Sequence, residues 1–440
     1  MQFEFAAPSA LDTDNRSANT ARLLNMYREP TGDGAIWCKS LPGMTEFADT
    51  ARTACRAMAE IGDEIYVAQG GRLIRITAAG TVVTLGVITD DAATTISSNN
   101  GNVTVVAGGT YYVWNGVTLT TPVGGAFSDF GDVTFFAQLT VLTEASGRQV
   151  QWSGLADPTS LDALDFATTE ARDDNILRTM PVGSALWFFK ETSIEPWYSL
   201  GTGLAALPGG TIERGLKSRN LISQIPNGAF FVGDDNTVYL AGNNTIDRIS
   251  NVAIETAITE GEPSRALYFE DEGHKFCALI FTGRPAWLYN IITGEWCERA
   301  QGVDIGPWDA KACIKVLGTF YVGTDAGLVA SLSRNNQDLG GTMVRRIVSR
   351  TVQNDGIWFT LPKVQVTTRI GFFVTEPQLA MRMSKNFGLS WQIDRQQGLG
   401  DLGEYLNRTV FRRLGQYRQA TLELTLSTDS DVNISASAFA

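Results

Sequence analysis

The chain has 440 residues, a formal net charge of −12, 44% hydrophobic residues and 10% aromatics. Charged residues make up only 19% and glycines number 44, against about 25% charged and about 7% glycine in an average domain. This composition excludes a disordered chain, a coiled coil, a collagen-like chain and a long helical bundle. The acidic balance argues against a general nucleic-acid binder, which needs a basic face to displace phosphate counterions.

The charge is uneven. Residues 341–440 hold 12 basic and 8 acidic side chains, a net of +4, which leaves −16 on the first 340. Such asymmetry fits contact with different neighbours at the two parts. The five cysteines form no CxxC or Cys/His cluster, so no metal ligand set is expected and the thiols read as reduced and mostly buried. The opening MQFEFAAPSALDTDN lacks the features of a signal peptide. No apolar run approaches the ~18 residues of a membrane span.

In chain order, residues 1–56 read as an extended segment punctuated by Pro, Gly, Asn and Asp, the kind of open stretch that lies along another domain or a partner. From residue 57 to 340 the texture is repetitive. Residues 64–76 (EIYVAQGGRLIRI) spell strand, Gly-Gly turn, strand. Comparable units occupy 102–121, 133–152, 185–197, 229–249, 276–296 and 314–331. A hairpin repeat spaced about 35–45 residues apart predicts a β-propeller, because one blade has two apolar faces that only a closed ring can bury. Seven units are countable. With one taken as a partial blade or insertion, six blades are expected, and seven are the alternative. Residues 159–174 and 201–215 read as loops between blades. Residues 341–440 form a separate run of short strands, predicted to be a β-sandwich platform against which the N-terminal segment packs. The fold class is therefore all-β, a propeller plus a platform.

The sharpest local motif is SKNFGLSW, from Ser384 to Trp391. It resembles the Asp box of sialidase propellers, with Asn386 in place of Asp. Its expected role is structural: Asn386 bonds nearby backbone N–H groups, Gly388 takes a positive φ and Trp391 packs the hairpin. Sialidases also need an arginine trio and a tyrosine nucleophile, and the Arg-Ile/Val-Pro piece that normally accompanies such boxes is missing. Thr293-Gly-Glu-Trp296 similarly resembles a scaffold turn of kelch-type blades.

His274, the single histidine, is expected in a solvated turn. The acidic pairs Asp90–Asp91, Asp173–Asp174 and Asp234–Asp235 and the run 270–272 lack EF-hand spacing and also read as solvated turns. There is no phosphate-binding loop and no dinucleotide fingerprint. No catalytic residue, metal site or cofactor is expected. Arg412, Arg413 and Arg418 form the densest basic cluster. Planar guanidinium forks suit an acidic protein neighbour, so these residues, with Tyr27 and Arg28 near the other end of the chain, are the candidate interface.

Two terminal regions together carry a family resemblance. Asn25-Met-Tyr27-Arg28-Glu29-Pro30, followed by Leu41-Pro-Gly43 and Phe47, resembles the opening of the packaged-DNA stabilisation proteins of short-tailed phages, also called tail hub or nozzle proteins. Residues 377–384, Gly388–Trp391, 399–405 and 411–415 resemble that family's closing region, and 286–296 resembles a middle piece. Asn386 replaces the box Asp, and Leu41 stands where Thr is usual. The resemblance implies a structural virion protein of the tail, made in the bacterial host cytoplasm. It implies a homohexamer below the portal and head-to-tail adaptor ring that closes the channel after packaging. It also implies a spike, fibre or plug partner, and viral double-stranded DNA passing between subunits without sequence-specific binding. The alternatives are a propeller that binds or hydrolyses host glycans, and a kelch-type cellular scaffold.

Overall fold

The structure is a computed structural model describing residues 2–4, 7, 9, 20–30, 36–242, 245–369, 377–400, 406–428 and 433–439. The candidate motif residues at 401–405 lie outside the described residues.

Seven four-stranded antiparallel units follow one another around a ring. Their first strands are Cys55–Ile61, Thr95–Asn99, Phe130–Phe136, Ile176–Val182, Ile222–Ile225, Pro263–Asp271 and Ala312–Val316. These lie innermost and touch in succession except between blades 4 and 5, which meet instead through Ile176–Val182 and Gly228–Val232; blade 7 returns to blade 1. The propeller thus has seven blades, and the preference for six is corrected. Every one of the seven hairpins found in the sequence is a blade, and none is an insertion. Middle strands such as Ala185–Lys190 and Gly228–Val232 are buried along their whole length, because neighbouring blades cover both faces.

Six of the blade-to-blade contacts have their own apolar cluster, for example Trp187, Phe189, Phe231 and Tyr239 between blades 4 and 5. The contact of blades 6 and 7 instead merges with the platform core. There Phe269, Phe276 and Val322 share one cluster with Tyr27, Met44, Leu361, Met381 and Phe411. The helix Val252–Glu260 seals the rim between blades 5 and 6 with Ala253, Ile254 and Ile258. Asn251 caps it by accepting from the Ile254 N–H at 3.1 Å. No helix was expected there.

Three further elements depart from the sequence reading. Asp157–Thr168, read as loop, is the outer strand of blade 3. Its largely exposed, polar character hides the strand pattern. Gly43–Asp49, within the segment expected on the platform, is the outer strand of blade 7, antiparallel to Leu328–Ser333. It fastens the ring. A Cβ at Gly43 would lie 2.2 Å from the Gln337 carbonyl oxygen, so this close approach requires glycine. Finally, His274 is buried rather than solvated, bonded through Nδ1 to Asn290 at 2.9 Å and packed in a tilted ring contact with Tyr27.

The platform is two facing sheets. One contains Met26–Pro30, Ile36–Ser40, Asn433–Phe439, Phe359–Arg369 and Leu406–Tyr417. The other continues blade 6. Its outer strand Glu295–Arg299 pairs in parallel with Arg22–Leu24, which pairs antiparallel with Val344–Val348, and the sheet runs on through Gln419–Ser427, Gln378–Ser384 and Arg395–Gly398. Nine strands therefore run from propeller to platform without a break, and Val352–Gln353, pairing with Gln419–Ser427 off this path, is the tenth of the sheet.

Asn25 locks this junction. It is 1% exposed and sits at φ +56°, in the left-handed region that Asn tolerates better than most residues. Its Nδ2 donates to the Val344 carbonyl at 2.7 Å, and its Oδ1 accepts from the Ala300 N–H at 2.8 Å and from Arg299 at 3.2 Å. Arg299 is itself buried, paired with Asp338 at 2.9 Å and set over Trp308. Replacing Asn25 with Ala leaves buried backbone partners unsatisfied at about 1–3 kcal/mol each. The loss expected in denaturant unfolding is about 3 kcal/mol or more. Asn25→Gly relieves the φ strain and recovers about 1 kcal/mol of it; equal stability of the two variants would contradict this account.

Candidate functional site

The platform end distant from blade 6 carries the basic cluster. Arg412, Arg413 and Arg418 are exposed. Arg412 and Arg413 lie on Leu406–Tyr417. Arg395, on the last strand of the facing sheet, donates to the Arg412 carbonyl at 2.9 Å and the Arg413 carbonyl at 3.3 Å. Arg418 stacks over Trp358, 5.3 Å from the ring centroid, and Trp358 is 58% exposed. Ile357 and Ile393 are exposed in the same region, at 63% and 93%. The exposed side chains here are arginines and apolar groups, the composition enriched at protein interfaces.

The Ser384–Trp391 turn borders this region. The Ser384 hydroxyl accepts from the Gly388 N–H at 2.9 Å, and Asn386 Oδ1 accepts from the Ser390 N–H at 2.9 Å. Asn386 therefore makes the backbone bond that an Asp would make. Gly388 lies at φ +80° with Trp391 against it, and Arg382 stacks on Trp391 at 4.8 Å. The turn fixes the hairpin beside the exposed surface and contains no reactive arrangement.

Tyr27 and Arg28, placed by the sequence reading with the interface residues, lie elsewhere. Tyr27 is 2% exposed, packed on Phe276, with its hydroxyl accepting from Arg334 at 3.2 Å. Burial pushes its phenol upward against the opposing effect of Arg334. Arg28 pairs with Glu295 of blade 6 at 2.7 Å. Both hold the seam between propeller and platform within one chain, so the structure does not bring them together with Arg412, Arg413 and Arg418.

The acidic clusters also have charged or polar partners, Asp173 remaining exposed and Asp174 buried. Asp90 pairs with Arg56 at 3.0 Å, and Asp235 accepts from the Tyr239 hydroxyl at 2.9 Å. Glu270 binds Lys315 at 2.7 Å and Tyr268. Asp174 is buried in a pair with Lys190 at 2.7 Å, and Lys190 is 0% exposed. Among the described residues no group of His, Cys, Asp and Glu could hold a metal ion. Four of the cysteines are buried and Cys313 is partly so; burial pushes the Cys55 thiol up to about 12. Among the described residues no helix is long and apolar enough to cross a membrane.

A closed seven-bladed ring sharing a sheet with a β-sandwich defines a two-part all-β protein. The chain belongs to the Bacteriophage P22 Gp10 family of phage tail stabilisation proteins: the family's β-propeller matches residues 14–335 and its β-sandwich residues 344–438. The resemblance carried by the terminal motifs is thereby established, and the chain is placed among structural tail proteins of phages. Solved structures that match the chain include the computationally designed Ika8 protein and BamB from Moraxella catarrhalis. Ika8 is 12% identical, with 66% of this chain and 99% of that chain covered and a TM-score of 0.44. BamB is 11% identical, with 76% and 98% covered and a TM-score of 0.40. No curated protein matches the chain.

Burial alone pushes the Asp174 carboxyl up, but hydrogen bonds from Lys190 and Thr192, with the Lys190 charge, hold it below the ordinary value of 3.8. Its contribution to stability is therefore present above that value and lost as pH falls through the lower folded value. Asp174→Asn should flatten this acid limb in pH-dependent thermal unfolding. At neutral pH it should cost about 3–5 kcal/mol by stranding the Lys190 charge. A second local test is Asn386→Ala, which should cost about 1 kcal/mol, while Asn386→Asp should keep the turn intact.

Proposed function

We propose that this protein is a mechanical component of a short phage tail, a nozzle that assembles as a sixfold ring beneath the head-to-tail adaptor. The observation that carries the reading is membership of the P22 Gp10 family across both domains. In this reading the ring closes the DNA channel after packaging and conducts the genome outward at infection. Its role is non-enzymatic, and a spike, fibre or plug protein docks on it.

The chemistry of the two parts supports a division of labour. The platform surface around Arg395, Arg412, Arg413, Arg418 and Trp358 meets an acidic neighbour, either the adaptor or the adjacent subunit. Buried arginine forks and an aromatic anchor are the groups that carry most energy at such contacts. The propeller, with the acidic share of the charge, forms the nozzle wall, where carboxylates repel the phosphate backbone and keep a moving duplex from sticking. DNA passes between subunits. The cavity on the propeller axis, about 560 Å³ in all, is far too small for a duplex whose major groove alone is about 12 Å wide. The ten-stranded sheet transmits force from platform to propeller without a hinge.

Electron microscopy of the protein mixed with its phage's DNA-filled, tail-deficient heads tests this. The expected result is sixfold density on the portal vertex and reduced DNA leakage. Heads that stay bare and leaking at micromolar protein would refute the nozzle and favour a glycan-binding propeller. The double variant Arg412→Glu, Arg413→Glu should fold normally by circular dichroism yet lose attachment by at least about tenfold, since each buried charge reversal costs more than about 1.4 kcal/mol. Undiminished attachment would move the contact off this surface.

A further inference from the structure

The axial cavity of the propeller has an unusual electrostatic composition. Cationic side chains stand at or just before the start of the innermost strands: Arg56 in blade 1, Arg178 in blade 4, Arg219 before blade 5, Arg265 in blade 6 and Lys311 before blade 7. The ring brings all five to one cavity. They come from five separate stretches of sequence, so no local motif announces them.

Three of these charges have carboxylate partners. Arg56 pairs with Asp90 at 3.0 Å, Arg178 with Asp132 at 2.8 Å and Lys311 with Asp325 at 3.1 Å. Arg219 and Arg265 have none among the described residues. Arg219 donates to the carbonyls of Gly131 at 3.0 Å and Ala145. Arg265 donates to the Asn220 side chain at 3.2 Å and to the Ala92 carbonyl at 3.3 Å. The latter bond joins blade 6 to the approach of blade 2 on the far side of the ring. Neutral acceptors position both guanidinium groups without cancelling their charge. In addition, Arg178 Nε is buried with no hydrogen-bond partner. Burial, aided by the charges of Arg178 and Arg56, holds Arg265 below the ordinary guanidinium range.

Two positive charges with no carboxylate bonded to them, Arg265 feeling Asp325 only at a distance while Asp325 is paired with Lys311, are costly in a confined cavity unless an anion joins them. Their presence is the more notable in a chain of net charge −12. Planar arginine forks match tetrahedral and planar oxyanions by paired N–H···O bonds. Thr94, Thr95 and Ser223 line the same space and add hydroxyl groups.

We propose that the arginine end of the propeller axis, built from Arg56, Arg178, Arg219 and Arg265 with Asn220, is a binding site for a phosphate-class dianion. The ligand is free phosphate or the phosphate group of a small molecule. The opposite end of the cavity is unsuited to it, because there Glu270 is committed to Lys315 and Tyr268 beside the apolar Phe320. The site is independent of the nozzle reading, since it lies within a single propeller.

The test is thermal unfolding and calorimetry of the full chain at constant ionic strength, titrating sodium phosphate or glucose 1-phosphate against sodium chloride. Phosphate should raise the melting temperature where chloride does not. Arg265→Gln and Arg219→Gln should each weaken binding by about tenfold, while Arg265→Lys should retain part of it. Tighter binding of glucose 1-phosphate identifies a phosphate carried on a larger molecule, and tighter binding of inorganic phosphate identifies the free ion; both support the site. Modification of the unaltered protein by phenylglyoxal, mapped by peptide mass spectrometry, covers the case of a variant that folds poorly: phosphate should protect Arg265 and Arg219. Stabilisation matched by chloride, undiminished affinity in both glutamine variants, or modification unaffected by phosphate would overturn the proposal.

Discussion

The structure depends on one short strand. Arg22–Leu24 is three residues long, yet it supplies the hydrogen bonds that join blade 6 to the platform sheet. Without it the outer edge of blade 6 and the edge of Val344–Val348 would both present unpaired backbone groups to each other across a gap. Asn25 then turns the chain out of this strand in a left-handed conformation, and its side chain satisfies groups on both sides of the seam. The buried Arg299–Asp338 pair and the Tyr27–Arg334 bond lie against the same seam. Because the polar groups here are desolvated, each depends on its partner, and the seam behaves as one network. The merged apolar cluster of blades 6 and 7 with the platform has the same effect in the core. Propeller and sandwich therefore share a core and a sheet rather than an ordinary inter-domain contact.

How much of this could be read from sequence follows from where the signal lies. The seven hairpins were legible because their middle strands are apolar on both faces and their turns are rich in Gly, Asn and Asp. The number of blades was harder to read. Innermost strands such as Ile222–Ile225 and outer strands such as Leu119–Thr120 are short or polar, so an individual unit could be mistaken for an insertion. The ring fastening by Gly43–Asp49 leaves no local trace, since its partner strand is remote, Ser331 lying 286 residues beyond Thr45. Asp157–Thr168 was obscured by exposure. His274 was misplaced because its charged neighbours suggest solvent, while its burial comes from Tyr27 in a remote segment.

The candidate surface shows the same division. Arg412, Arg413 and Arg418 are close in sequence and all exposed. Trp358 and Arg395 come from other strands, and only the fold adds them. Tyr27 and Arg28 belong to a conspicuous motif, but the conspicuousness reflects the intramolecular seam. The axial arginines represent the extreme case: a ring assembles one site from residues contributed singly by many blades, so periodic sequence carries no mark of it.

Fastening the ring with an early strand also has a kinetic consequence. Gly43–Asp49 must wait for Leu328–Ser333 before its backbone is paired. During synthesis at about 5–20 residues per second, that strand spends on the order of tens of seconds as an unpaired edge while the intervening blades emerge. Loop closure over such a separation is entropically expensive and slows folding relative to local hairpins. The blades therefore have time to form in order and stack on their predecessors before the circle is committed. The last event, closure beside the platform seam, converts a stack of separately marginal hairpins into a ring that no single blade can leave without opening the whole.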